Sequence, residues 1–106
     1  MTQDEDGRQR ITVRVPAALR RLAGDRATLQ VELAHAPPGA VTAGQVLSAL
    51  ASICPGVHDA ALDERGAVRP HVNVFVGAEN IRFCTGLATP VPAGAEVWIL
   101  PAVSGG

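Results

Sequence analysis

The 106-residue sequence predicts a two-layer α+β domain: a mixed five-stranded sheet with one main helix packed on one face. Three observations carry that expectation. Two early segments, RITVRV and ATLQVELA, alternate apolar and polar residues at the period of half-buried strands. One segment, VTAGQVLSALASICPG, places apolar residues at helical spacing behind a capping signal. Two later segments, HVNVFVGAENIRF and AEVWILP, return to the strand period. A sheet with one helix to cover it is covered on one face only.

The first strand sets Ile11, Val13 and Val15 against Arg10, Thr12 and Arg14, and Pro16 ends it. AALRRLAGDR is expected to be a loop with a turn at Gly24-Asp25. The second strand runs through Leu29, Val31 and Leu33 against Thr28, Gln30 and Glu32, antiparallel to the first, and Pro37-Pro38-Gly39 stops it. In the helix, Thr42 is the N-cap, Gln45 completes a T-x-x-Q capping box, and Val41 is placed to staple against Val46. Val46, Leu47, Leu50, Ile53 and Cys54 make one apolar stripe, and Pro55-Gly56 is expected to terminate it. The next segment reads as a short turn of helix and then a polar turn over 63–66.

Val72, Val74 and Val76 point inward from the third strand, and a turn over 77–79 leads to a short fourth strand over 80–83. CTGLATPVPAG is a loop broken by glycine and proline, with Leu87 and Val91 as plugs. In the fifth strand Val97 and Ile99 alternate inward, which puts Glu96, Trp98 and Leu100 on the other face. Pro101 lacks the N–H that would extend the ladder, so regular structure is expected to stop there. The chain thus divides into a disordered arm over 1–9, a domain over 10–100 and a flexible tail over 101–106. The order β-β-α-β-β-β, with the last strand beside the first in the middle of the sheet, is the β-grasp arrangement. A ferredoxin-like variant needs a second full helix, which Gly86, Pro90 and Pro92 forbid between 84 and 95.

Composition narrows the function. A hydrophobic fraction of 47% and a charged fraction of 18% suit one globular core. The net charge of −1 gives no basic excess for nucleic acid and no polybasic run for anionic lipid. The acidic start MTQDEDGRQR is not a signal peptide and no run of apolar residues is long enough to span a bilayer, so a cytoplasmic protein with reduced thiols is expected. All nine basic residues are arginine, so the chain offers no lysine ε-amine for isopeptide bonds to itself. Cys54 and Cys84 form no CxxC or Cys/His cluster, and no metal site is expected. Cys54 closes the helical stripe and belongs to the core, and Cys84 is expected to be a buried or half-buried structural cysteine. His35, His58 and His71 read as surface or loop side chains, and Arg20-Arg21 as solvated arginines or a contact for an acidic partner. GLATPVPAG lacks the lysine of a phosphate-binding loop. With no nucleophile–base pair, a free-standing enzyme is the reading least favoured.

The segments VNVFV, ENIRF, GLATPVPAGAEV and ILPAVSGG resemble the C-terminal half of the ThiS/MoaD family of ubiquitin-like sulfur carriers, especially the branch that serves cysteine biosynthesis in actinobacteria. The resemblance covers about residues 10–106, and its specificity lies mainly in residues 69–106, the first half matching in pattern only. The family's closing Ala-Gly-Gly stands here as Ser104-Gly105-Gly106, and Cys84-Thr85 replaces the small residues of the nearest relatives. The resemblance implies that the Gly106 carboxylate is the reacting group. An E1-like adenylyltransferase/sulfurtransferase of the MoeB/ThiF type would adenylate it with ATP, and sulfur would displace AMP to leave a thiocarboxylate for a sulfur-accepting synthase. It also implies that Ser104 and Gly105 thread into the partner and that the carrier itself holds no cofactor. Glycine suits that end of the chain because side chains would obstruct a closed channel and because glycine reaches φ angles closed to other residues. Phe75, Trp98 and Leu100 are either scattered surface apolars covered by loops or a docking patch for the activating enzyme. A ubiquitin-like protein modifier and a small subunit of molybdopterin synthase are the alternatives that the same chemistry leaves open.

Overall fold

The computed structural model describes residues 9–33, 41–92 and 94–101. The elements in order are β1 (Gln9–Arg14), a 3-10 turn (Ala17–Ala23), β2 (Thr28–Leu33), α1 (Ala43–Ile53), α2 (Pro55–Ala61), β3 (Val72–Val76), β4 (Glu79–Asn80), two short 3-10 turns (Ile81–Phe83 and Gly86–Ala88) and β5 (Glu96–Pro101). The sheet order is β2-β1-β5-β3-β4. β5 lies parallel to β1, and the other pairs are antiparallel. The expected β-grasp arrangement is therefore present, with the last strand in the centre beside the first. The inward residues fall where the alternation placed them: Ile11, Val13, Leu29, Val31, Val72, Val74, Val76, Val97 and Ile99 are all buried, together with Val46, Leu47 and Leu50 of α1.

The start of α1 follows from its capping box. Gln45 donates its backbone N–H to Thr42 Oγ1 at 3.2 Å, and Thr42 donates its own to Gln45 Oε1 at 2.9 Å. Val41 and Val46 are both buried, as a staple requires. The loop before β5 is tied across this helix end. Ala43 N–H donates to Thr89 O at 2.9 Å and Val91 N–H to Val41 O at 2.8 Å. Gly44 suits that closure, because a Cβ there would stand 3.1 Å from Leu87 O. Leu87 packs on the core and Val91 is buried, so both act as plugs.

Four local expectations are corrected or qualified. Pro55 does end α1, because a residue before proline is driven out of the helical region and Cys54 takes φ −152° and ψ 81°. But proline is also at home at a helix start, and Pro55 opens α2 at once. Ile53, expected in the buried stripe, is 38% exposed because α1 ends there. The fourth strand has two residues rather than four. Asn80 Oδ1 accepts the Arg82 N–H at 2.9 Å, turning the backbone into a 3-10 turn. The stretch read as a loop before β2 is itself a 3-10 turn over Ala17–Ala23, although Gly24 and Asp25 make the expected turn at φ 65° and 64°.

The β3–β4 connection is the two residues Gly77-Ala78, with Gly77 at φ +61°. The polar turn after α2 is held by Asp63, whose Oδ1 accepts the N–H groups of Ala67 (3.0 Å) and Arg65 (2.8 Å). The Ala67 bond, with smaller help from Arg65 and Arg69, draws its carboxyl below the ordinary 3.8. At the boundaries, Gln9 is the first residue of β1 and Pro101 the last of β5, opposite Val72. The rest of the expected arm, the Pro37-Pro38-Gly39 stop, and the tail with Ser104, Gly105 and Gly106 lie outside the described residues.

Candidate functional site

One face of the sheet carries α1 and α2. On the other, β5 presents Glu96, Trp98 and Leu100, while its alternate residues Val97 and Ile99 are 0% exposed in the core. The register brings the expected docking residues together. Phe75 on β3 is the direct partner of Trp98, and Asn73 is the partner of Leu100. Trp98 is 36% exposed, and Phe75 and Leu100 are half-buried. These three side chains form one apolar area on the central strands, continuous with the point where the chain leaves the sheet.

The neighbouring half of this face is zipped by polar pairs. Arg10 bridges to Glu32 at 3.0 Å, and Thr12 and Gln30 exchange hydrogen bonds across β1 and β2. Arg14 grips Glu96 with two N–H groups, Nε to Oε1 at 3.0 Å and Nη2 to Oε2 at 3.2 Å. Its guanidinium carbon also lies 5.0 Å from the centre of the Trp98 ring. The fork thus fixes the cation that stacks on the indole. The pair is part-exposed, so its contribution to stability is about 0–1 kcal/mol after solvent screening. The sequence placed Arg14 on the same face as Trp98 by alternation, but the contact needs the parallel β1–β5 register, which no local pattern supplies.

Cys84 is exposed, against the expectation of a buried or half-buried thiol. The 3-10 turn over Ile81–Phe83 buries Ile81 and turns the following residues outward. Among the described residues, the partner of Cys84 Sγ is Asn80 O, at 3.4 Å. Phe83 emerges 84% exposed from the same turn, a feature that the strand reading of this segment concealed. Cys54 is buried as expected, with Sγ donating to Leu22 O at 3.0 Å. His71 is exposed, and His58 lies half-buried on α2 with Nδ1 2.9 Å from Asp59 Oδ1. His35 lies outside the described residues. Among the described residues no group of three or more His, Cys, Asp or Glu is placed to hold a metal ion, and no helix is long and apolar enough to cross a membrane.

The profile of the ThiS family matches residues 13–106. The chain belongs to the ThiS family. Sulfur carrier protein CysO of Mycobacterium tuberculosis is 34% identical over 98 residues, which span 91% of this chain and 98% of the relative. The crystal structure of that CysO superposes with a TM-score of 0.72 at 33% identity, covering 88% of this chain and 99% of the other. The crystal structure of the BexX/CysO complex of Amycolatopsis orientalis gives 0.71 at 29% identity, over 91% and 99% of the two chains. Small archaeal modifier protein 1 of Haloferax volcanii gives 0.70 at 25% identity, over 90% and 99%. The ubiquitin-like β-grasp fold is thus common to sulfur carriers and a protein modifier, and this ThiS-family chain shares it.

Proposed function

We propose that this protein is a sulfur carrier of the CysO kind and a co-substrate rather than a catalyst, acting in the cytoplasm through the carboxylate of Gly106. A carboxylate is a poor acyl electrophile because its leaving group would be oxide. An E1-like partner of the MoeB/ThiF type removes that obstacle. The Gly106 carboxylate oxygen attacks the α-phosphorus of the partner's ATP, releasing pyrophosphate and forming an acyl-adenylate. A hydrosulfide-level sulfur nucleophile then adds to the carbonyl, AMP leaves, and the thiocarboxylate and a proton remain. A sulfur-accepting synthase next takes the sulfur, for cysteine or for a sulfur-containing metabolite. The observation that carries this reading is the family match through Gly106 on a chain that spans 98% of a curated sulfur carrier's length.

The described fold supports it physically. β5 is held by β1 through Trp98 and by β3 through Pro101. Residues 102–106 can reach at most about 18 Å beyond that root, at about 3.3–3.6 Å per residue. A rigid root limits the ordering cost on capture to those few residues, at roughly 1–2 kcal/mol of backbone entropy each. Ser104 and Gly105 pass through the partner's channel, and Phe75, Trp98 and Leu100 dock on its surface. The test is ATP–pyrophosphate exchange by the activating enzyme, with the full chain and with a chain lacking Gly106. Exchange is expected with the first and lost with the second at an unchanged melting temperature. Equal exchange with both would refute the role of Gly106.

The likeness to small archaeal modifier protein 1 favours a second reading, in which a protein amine captures the same acyl-adenylate. High-mass conjugates in cell extract, without a thiocarboxylate form of the free chain, would select it.

A further inference from the structure

β1 and β5 are parallel and β3 is antiparallel to both, so the ends of β1 and β5 and the start of β3 meet at one pole of the sheet. A cleft of about 460 Å³ opens there. Leu19, Val72, Leu100 and Pro101 contribute apolar lining, and Arg69 and His71 also line it. Two further guanidiniums belong to the same pole. Arg82 donates from Nη2 to Val72 O at 2.9 Å, and Val72 is the register partner of Pro101. Arg20 donates from Nε to the carbonyl of Val15 at 3.3 Å, and Val15 is the residue after Arg14, the partner of Trp98. Arg69 donates from Nε to Asp59 O at 2.8 Å.

Each of these three arginines is thus anchored on a main-chain carbonyl and keeps further N–H donors for a ligand. The ion pairs among the described residues are Arg10–Glu32, Arg14–Glu96 and His58–Asp59, so none of the three is in one. Asp59 also lines the cleft, but its Oδ1 lies against His58. Among the described residues the carboxylate that feels Arg69 is Asp63, held by its own turn, and Arg20 and Arg82 are in no ion pair.

We propose that this cleft and Arg20, Arg69 and Arg82 form a second contact surface for the enzyme that receives the tail, one that fits an acidic segment of that enzyme with an apolar side chain seated in the cleft. The inference rests on the sulfur-carrier reading above. Pro101 is at once a wall of the cleft and the root of residues 102–106, so an enzyme that encloses those residues must pass beside the cleft. Anchored guanidiniums lose little freedom when they meet carboxylates, and they present a fork that matches them. The apolar area around Trp98 supplies contact, while the arginines orient the approach and make it sensitive to salt.

The probe is the E1-like adenylating enzyme of the same genome, with this chain as the varied substrate in ATP–pyrophosphate exchange. Arg69→Glu combined with Arg82→Glu is expected to raise KM about tenfold with kcat nearly unchanged. Arg69→Gln with Arg82→Gln, which keeps much of the side-chain bulk, is expected to raise it by less. KM of the unaltered chain is expected to climb as ionic strength goes from about 0.05 to 0.5 M, more steeply than that of either variant. Should the variants unfold, the salt series on the unaltered chain decides alone, and a KM indifferent to salt overturns the proposal. Folded variants with unchanged KM and salt slope overturn the arginine surface and leave the carrier reading standing. Absence of exchange with the unaltered chain overturns both.

Discussion

On β5, Val97 and Ile99 have no exposed surface, while Glu96, Trp98 and Leu100 lie on the face away from the described helices. The same alternation runs through β1, where Ile11 and Val13 are buried and Arg10, Thr12 and Arg14 form ladders on the open side. Burial of the helix-covered face supplies the stability of the fold, since each large aliphatic side chain removed from water contributes about 1.5–3 kcal/mol. The open face contributes little to stability and presents chemistry instead: a polar zipper over β2 and β1, then an apolar area over β5 and β3. One set of strands therefore separates folding from contact by a two-residue period, and changes on one face should leave the other largely untouched.

That separation breaks if a covered-face change fails to unfold the domain. Leu50→Ala, in the centre of α1 and fully buried, is expected to cost about 3 kcal/mol in denaturant unfolding. A loss under about 1 kcal/mol would mean that the helix layer is not the core. On the open face the effects should invert. Trp98→Asp is expected to weaken binding to the activating enzyme by about 2 kcal/mol in calorimetry. Its effect on stability is expected to stay below about 1 kcal/mol. Unchanged affinity would remove Trp98 from the docking area.

The smallest effect sharpens the comparison at the edge of the covered face. Thr42→Ala removes the acceptor for the Gln45 N–H and is expected to cost about 1 kcal/mol in melting experiments, with binding unaffected.

The elements that depend on neighbours in sequence were legible before any coordinates. The period of two located the inward faces of β1, β2, β3 and β5, and Thr42 with Gln45 marked the start of α1. Where one residue serves two purposes, local reading chose one of them. Pro55 was read as the end of a helix and is also the start of the next. Asn80 is a strand residue as the sequence suggests, but its side chain competes for the backbone and ends β4 there, so Ile81–Phe83 form a 3-10 turn that carries Phe83 and Cys84 outward. Contacts between distant strands were out of reach for a different reason. The Arg14 stack on Trp98 follows from the parallel β1–β5 register, and the place of Arg82 beside Pro101 follows from the antiparallel β3–β5 register, both tertiary facts. The likeness of the closing segment to the ThiS/MoaD carriers, by contrast, was carried by ILPAVSGG and the segments before it, and the family match confirms the membership.

The central claim is that this fold presents Gly106 for activation and sulfur transfer. Intact mass measurement after incubation with the activating enzyme, ATP and a sulfide source tests it most directly. The expected result is a mass gain equal to exchanging one oxygen for one sulfur on the full chain, absent when Gly106 is deleted. A full chain that stays at its starting mass in a reaction where the enzyme converts its own cognate carrier would contradict the account.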